Sequence, residues 1–279
     1  LRESLYNPFA SRGAGDLRIT AVAATARQFW RHLPAILKGR FGNDMTVQNG
    51  HLSGRFARAD VLGLEGQALN LPVADGTFID PDLDDMLTLS SGLADGGALP
   101  SWLSFNPVSG VFSGTPSQTA AGVLDLRVTA TDAAGATAFS DFKLDIANRI
   151  DGTSSANNLA GTALRDYILG LGGNDTLTGG AGNDIFVFDT VLNASINKDS
   201  IADFTIGQDK IQLDRSIFTM LPDEGTLAAS LFRSSSNGLA ADNNDYFLYN
   251  TTSGALLYDT DGNGQGVAVQ FATLTNKAA

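Results

Sequence analysis

Apolar and polar positions keep three different rhythms along this chain. From Leu17 to Lys38, Val22, Ala26, Phe29, Trp30, Leu33 and Leu37 recur at helical spacing with Arg18, Arg27, Arg31 and Lys38 among them. That pattern predicts a basic amphipathic helix, which Pro34 kinks or ends. Such a helix docks on its own or an upstream domain, on a membrane surface or in a partner groove. Met45 to Phe56 reads as a short hairpin turning at Asn49-Gly50. From about Val61 to Ile150 the rhythm shortens to alternation. It predicts strands at Ala68–Val73, Leu87–Ser90, Trp102–Phe105, Val111–Ser113, Val123–Ala130 and Ala138–Ile146. Short strands separated by turn residues at even spacing favour a small sandwich.

The third rhythm has a period of nine. The unit Gly179-Gly180-Ala181-Gly182-Asn183-Asp184-Ile185-Phe186-Val187 is preceded, nine residues apart, by units opening at Gly170, Gly161 and Gly152. Asp175, Asp166 and Asn157 hold the place of Asp184, and Leu177, Ile168 and Leu159 the apolar place. Each unit is a turn plus a short strand, so two units complete one coil of a parallel β-roll. Residues eighteen apart then stack, Asp166 over Asp184 and Asn157 over Asp175, and stacked carboxylates repel unless a cation lies between them. Glycines allow tight turns that aim carbonyls inward. Gly170, Gly172, Gly179 and Ala181 are therefore candidate ligands together with Asp166, Asp175, Asp184 and Asn157. A flexible cage of carboxylate and carbonyl oxygens suits Ca²⁺ better than Mg²⁺.

Composition sharpens this. Of 30 acids, 27 are Asp and three are Glu, and the short Asp side chain fits tight metal-binding turns. Residues 1–60 carry a net +5 and residues 61–279 a net −17, which argues against nucleic acid as a partner of the acidic body. There is no cysteine, leaving metal ions as the staples open to a secreted chain. No apolar run is long enough to span a bilayer. The chain opens at Leu1 without a cleavable signal peptide and reads as a fragment.

The run Leu99–Phe105 (Leu-Pro-Ser-Trp-Leu-Ser-Phe), the run Phe112–Pro116 and Ala130-Thr131-Asp132 make residues 61–150 resemble the cadherin-like, or dystroglycan-type, immunoglobulin-like domain of bacterial surface proteins. That resemblance implies calcium ligands at Asp80, Asp82, Asp84 and Asp132, with Trp102 as a core anchor. Residues 151–279 resemble the RTX, or haemolysin-type, calcium-binding repeat family. Phe186-Val187-Phe188, Asp199 to Phe204 and Gly207 to Ile211 are similar to the serralysin-like end of such rolls. There Asp199, Asp203 and Asp209 are implied ligands of the last ions. Asp245–Leu274 resembles the strand pair that caps the stack. The chain departs from both patterns: its first two repeats lack the full glycine set, and it ends at Asn276-Lys277-Ala278-Ala279 where relatives carry an Asp-Phe tail.

Asp259-Thr260-Asp261-Gly262-Asn263-Gly264 matches the start of an EF-hand loop, but Gln270 stands at its twelfth position and the flanks read as strands. A hairpin turn is expected. The two histidines, His32 and His51, form no zinc-protease motif, and thiol chemistry is excluded. Catalysis within the chain is not expected. The fold expected is mainly β: a short α-helical N-terminal segment (1–60), an immunoglobulin-like sandwich (61–150), and a parallel β-roll with a C-terminal β cap (151–279). The function expected is calcium-gated folding after type I secretion to the extracellular space or cell surface. Either adhesion to a surface protein or glycan, or export of a hydrolase whose catalytic domain lies upstream, would use it.

Overall fold

The structure, a computed structural model, describes residues 61–74, 77–78, 86–222, 225–263 and 266–277, and the backbone of 45–48 and 51–54. The helix expected over 17–38, the Asn49-Gly50 turn and the candidate ligands Asp80, Asp82 and Asp84 lie outside these residues. Strands β1 (Met45–Gln48) and β2 (His51–Gly54) pair antiparallel with Gln48 opposite His51, the register a two-residue turn requires. The chain divides into two units. The first reaches to Gly63 and takes in Gln67–Pro116 and Val123–Asp145; the second is made of Leu64–Gly66, Ser117–Gly122 and Ile146–Ala279.

After β3 (Val61–Leu64), the first unit contains β4 (Leu69–Pro72), β5 (Thr88–Leu93), β6 (Leu103–Asn106), β7 (Val111–Gly114) and β8 (Gly122–Thr131). It also holds the first part of the long β9 (Thr137–Thr153). β4, β7 and β6 form one antiparallel sheet, and β5 pairs antiparallel with β8, which neighbours β9. The period-2 alternation explains the burial. Leu126, Val128 and Ala130 of β8 point inward, whereas Arg127 points out and grips Asp141 through two hydrogen bonds of 2.7 and 2.8 Å. The anchor of this core is Phe112, fully buried, with Phe105 and Phe142 packed on it at ring distances of 4.6 and 5.7 Å. Trp102, expected in that role, is half-buried at the start of β6.

The second unit winds as two parallel ladders. The end of β9 is followed by β11 (Asp166–Leu171), β13 (Ile185–Phe188) and β15 (Lys210–Leu213) on one side. On the other, β10 (Asn158–Ala160) is followed by β12 (Thr176–Thr178), β14 (Asp199–Ile201) and β19 (Val269–Leu274). The nine-residue apolar position supplies the interior. Ile150, Ile168, Phe186 and Ile211 stack in register on one wall, and Leu159, Leu177, Ile201 and Leu274 on the other.

A stack of coils exposes an apolar end that must be covered. A meander covers this one, with β17 (Phe247–Asn250) and β18 (Ala255–Tyr258) antiparallel to each other and β18 antiparallel to β19. β16 (Phe232–Ser235) lies parallel to β17. The cap is thus larger than the strand pair expected from the sequence. Phe218 is its centre, 5.1 Å from the rings of both Tyr258 and Phe271 in edge-to-face contact. Among the described residues the helical content is a single 3₁₀ turn, Ala229–Leu231, and no helix is long and apolar enough to cross a membrane.

Candidate metal centre

The Asp positions of the repeats form a file along each edge of the roll. On one edge the Asn157 N–H donates to Asp175 Oδ1 (2.7 Å) and the Asp175 N–H to Asp199 Oδ1 (3.0 Å). On the other, Asn148 Nδ2 donates to Asp166 Oδ1 (2.7 Å), the Asp166 N–H to Asp184 Oδ1 and the Asp184 N–H to Asp209 Oδ1 (both 3.0 Å). The eighteen-residue stacking is as the period requires. Successive rungs, however, are joined by a backbone N–H reaching a carboxylate of the next coil, so one oxygen of each acid is already neutralised by a donor. The bond between coils is thus N–H to carboxylate, and beside it the second oxygens of Asp175 and Asp199 still come close to each other.

The four turns fall into two classes. In the turns opening at Gly152 and Gly161 the second residue is threonine. The Thr153 N–H donates to Asn157 Oδ1 (2.6 Å) and the Thr162 N–H to Asp166 Oδ2 (2.7 Å). Thr153 Oγ1 reaches Asn157 Oδ1 at 3.1 Å and Thr162 Oγ1 reaches Asp166 Oδ2 at 3.2 Å. Each hydroxyl also accepts the N–H two residues on, from Ser155 and Leu164. In the turns opening at Gly170 and Gly179 the second residue is left-handed, Leu171 at φ 65° and Gly180 at φ 93°, as is the fourth, Gly173 and Gly182. Among the described residues, no donor reaches the second oxygen, Oδ2, of Asp175 or Asp184, although both residues are almost completely buried. A buried carboxylate oxygen without a donor is costly unless a cation meets it.

The surroundings of those oxygens fit an ion. A methyl group placed on Gly170 would lie 2.6 Å from Asp175 Oδ2 and 3.0 Å from Asp199 Oδ2, so the glycine keeps open a cradle on which both carboxylates converge. Gly179 likewise leaves room beside the Asp184 carboxylate. Burial, opposed by the N–H it accepts, pushes Asp199 up to about 7. Burial also pushes Asp184 up to about 6, helped by the charges of Asp209, Asp166 and Asp203, and Asp175 upward as well. These groups hold their negative charge at a cost that a cation would relieve. Among the described residues no three His, Cys, Asp or Glu side chains converge, so Asp175 with Asp199 at one edge and Asp184 at the other would need further oxygens to complete an ion's shell. An all-oxygen set of that kind fits Ca²⁺.

The remaining candidates divide plainly. Asp203 Oδ1 and Oδ2 accept the N–H groups of Gly179 and Gly180, both at 2.8 Å, and Asp209 Oδ2 accepts the Thr205 N–H at 2.7 Å. The Gly170 and Gly179 carbonyls face the Cα atoms of Gly152 and Gly161, where a side chain would collide with them. Gly172 and Ala181 donate their N–H groups to the Thr153 and Thr162 carbonyls. Asp132 closes the β8–β9 turn by accepting the Ala136 N–H at 2.7 Å. Asp259 and Asp261 sit in the β18–β19 connection, a turn between strands as expected, with Asp261 Oδ2 accepting the Gly266 N–H. The sequence reading missed Asn148, Thr153, Thr162 and Thr205. Asn148 was legible as the residue eighteen before Asp166, and the threonines as a shared second position in their turns.

Two family models match parts of the chain. The model described as "Putative Ig domain" covers residues 52–147, and "Peptidase M10 serralysin C terminal" covers residues 139–261. The chain therefore joins an immunoglobulin-like region to a serralysin-type C-terminal region. No curated protein matches it. Among solved structures, it is similar to an endo-fucoidan hydrolase of glycoside hydrolase family 107, at 21% identity over 38% of this chain and 14% of that one, TM-score 0.27. A nucleoside hydrolase-related hypothetical protein from Saccharophagus degradans gives 19% identity over 37% and 25%, TM-score 0.27. Drosophila N-cadherin EC1-4 gives 19% over 40% and 32%, TM-score 0.22. The chain spans well under half of each of these proteins, and likenesses of this size carry no argument about fold or function.

Proposed function

We propose that this chain is the calcium-folded C-terminal region of a bacterial protein exported by a type I route, with residues 1–60, 61–150 and 151–279 as its N-terminal segment, immunoglobulin-like domain and RTX-type roll. The observation that carries the reading is the pair of buried, donorless oxygens, Asp175 Oδ2 and Asp184 Oδ2, in files of acids running along both edges of a parallel roll. Asp175 and Asp199 would hold an ion at one edge and Asp184 one at the other, with Asp203 and Asp209 fixing the neighbouring backbone. When bound, calcium supplies positive charge at oxygens that no N–H reaches.

The chain's own residues do the rest. Before the ion arrives, unmet negative charge loosens the turns at Gly170 and Gly179, which suits threading through a secretion channel. Outside the cell the carboxylates pair across adjacent coils, the inward files of Ile and Leu close, and Phe218 seals the end. At ~10⁻⁴ M affinity, millimolar calcium contributes about 1.4 kcal/mol per site. The immunoglobulin-like unit would then present a contact surface to a cell-surface protein or glycan. The immunoglobulin-like match supports adhesion as the preferred reading. The serralysin-type match also favours a second reading, in which the roll is the folding module of an exported hydrolase with its catalytic domain upstream.

Circular dichroism of the chain under calcium titration, beside the same titration with magnesium, tests the proposal. A calcium-specific gain of β signal is expected, and a spectrum indifferent to chelator would reject it. Sequence upstream of residue 1 separates the two readings: tandem sandwich domains mean adhesion, and a catalytic motif means export.

A further inference from the structure

The two classes of turn assign different chemistry to the two ends of the roll. In the turns at Gly152 and Gly161 a threonine donates both its N–H and its hydroxyl to the carboxylate or amide four residues on. Asn148 satisfies the other oxygen of Asp166. These turns are electrostatically closed. In the turns at Gly170 and Gly179 the left-handed second residue turns its N–H elsewhere (Gly180 donates to Asp203), and one oxygen of each Asp is left bare. Downstream, Thr205 repeats the closed arrangement toward Asp209. Each edge therefore holds a single open turn, flanked on the N-terminal side by a closed one.

We propose that Thr153 and Thr162 take the place of calcium in the first coil. The roll then binds two ions, one at each edge, and residues 148–169 stand as a metal-independent template for the coils that follow. This rests on the calcium reading above and goes beyond it in fixing the number of ions and the order of folding. The template has a physical means of acting. Its Asn157 and Asp166 N–H groups grip Asp175 Oδ1 and Asp184 Oδ1, so each downstream acid is oriented with Oδ2 free to meet the ion. Its Ile150, Leu159 and Ile168 give the next coil an apolar surface to pack on. Ordering begins where no ion is needed, and each ion then fixes a turn whose partner coil already exists. That lowers the entropic cost of bringing distant acids together.

Calcium counting on the full chain, with peptide-resolved amide exchange in calcium and in chelator, tests this. Two ions per chain are expected. In chelator, amides of 153–169 should exchange at least about tenfold more slowly than those of 171–188, and calcium should remove the difference. Thr162→Val, which keeps the N–H and loses the hydroxyl, should speed exchange near Asp166 in chelator by about fivefold, the factor one hydrogen bond carries, with the count still two. Thr162→Gly combined with Leu164→Gly restores glycines at the second and fourth turn positions. It should admit a third ion and make 161–169 calcium-dependent. More than two ions still bound after Asp80, Asp82, Asp84 and Asp132 are changed to Asn, or 153–169 unprotected in chelator while two ions bind in calcium, overturns the proposal and leaves the calcium reading standing. A parent chain that binds no calcium overturns both.

Discussion

Replacing Asp184 with Asn should act in opposite directions with and without calcium. The substitution keeps an oxygen for the Asp166 N–H, now 3.0 Å from Oδ1, and removes the charge whose other oxygen meets no donor. In chelator at pH 7.5 that charge is a burden, because burial lifts the carboxyl from 3.8 to about 6. At 1.36 kcal/mol per unit the shift sets an upper bound of about 3 kcal/mol, which screening by water at the roll's edge roughly halves. A further fraction goes with the weaker hydrogen bond that a neutral acceptor makes. The variant should thus be more stable than the parent by about 1 kcal/mol when calcium is absent. In 1 mM calcium it forfeits one site worth about 1.4 kcal/mol at ~10⁻⁴ M affinity. The effect of the one substitution should therefore change by about 1.4 kcal/mol between the two conditions, from about +1 kcal/mol in chelator to about −0.4 kcal/mol in calcium. Urea unfolding followed by far-ultraviolet circular dichroism reads this as midpoints that cross over while the slope stays constant. A midpoint lowered equally in calcium and in chelator would refute the reasoning, since Asp184 would then serve only the packing of its turn.

Other outcomes follow from the same geometry. With Asp184 and Asp199 held near 6 and 7 against an ordinary 3.8, the folded chain without calcium binds more protons than the unfolded one between those values. Its stability should therefore fall as pH rises from about 4 to about 7. Saturating calcium should abolish that slope, and a slope unchanged by calcium would count against the ion. Gly170→Ala, whose methyl would sit between Asp175 Oδ2 and Asp199 Oδ2, should cut the calcium count from two to one, measured by titration calorimetry. Phe218→Ala should cost about 3–5 kcal/mol in saturating calcium and leave the calcium count at two, because its ring packs on Phe247, Tyr258 and Phe271 at the apolar end of the roll. Asp132→Ala should cost about 1 kcal/mol for the lost Ala136 hydrogen bond. A cost seen only in calcium would instead make Asp132 a ligand.

What the sequence determined by itself was periodic. Six strands of the immunoglobulin-like unit and the nine-residue register of the roll were legible, because side chains alternate across a strand and identical turns repeat only if they stack. The period alone puts Asp166 and Asp184 on one edge of the roll and Asp175 on the other. The tertiary structure decided which oxygens are satisfied. Asp175 and Asp166 hold the same position in their repeats, yet one keeps a bare oxygen and the other has both satisfied, since satisfaction depends on the φ of the turn's second residue and on donors such as Asn148 from another coil. It also decided that Asp199 and Asp209 continue the files at offsets of 24 and 25 residues instead of 18, a register that inserted loops conceal from any fixed period. Phe112 in place of Trp102 as core anchor has the same origin: a pattern says which face a residue takes, and only the packing of neighbouring strands says how deep it goes.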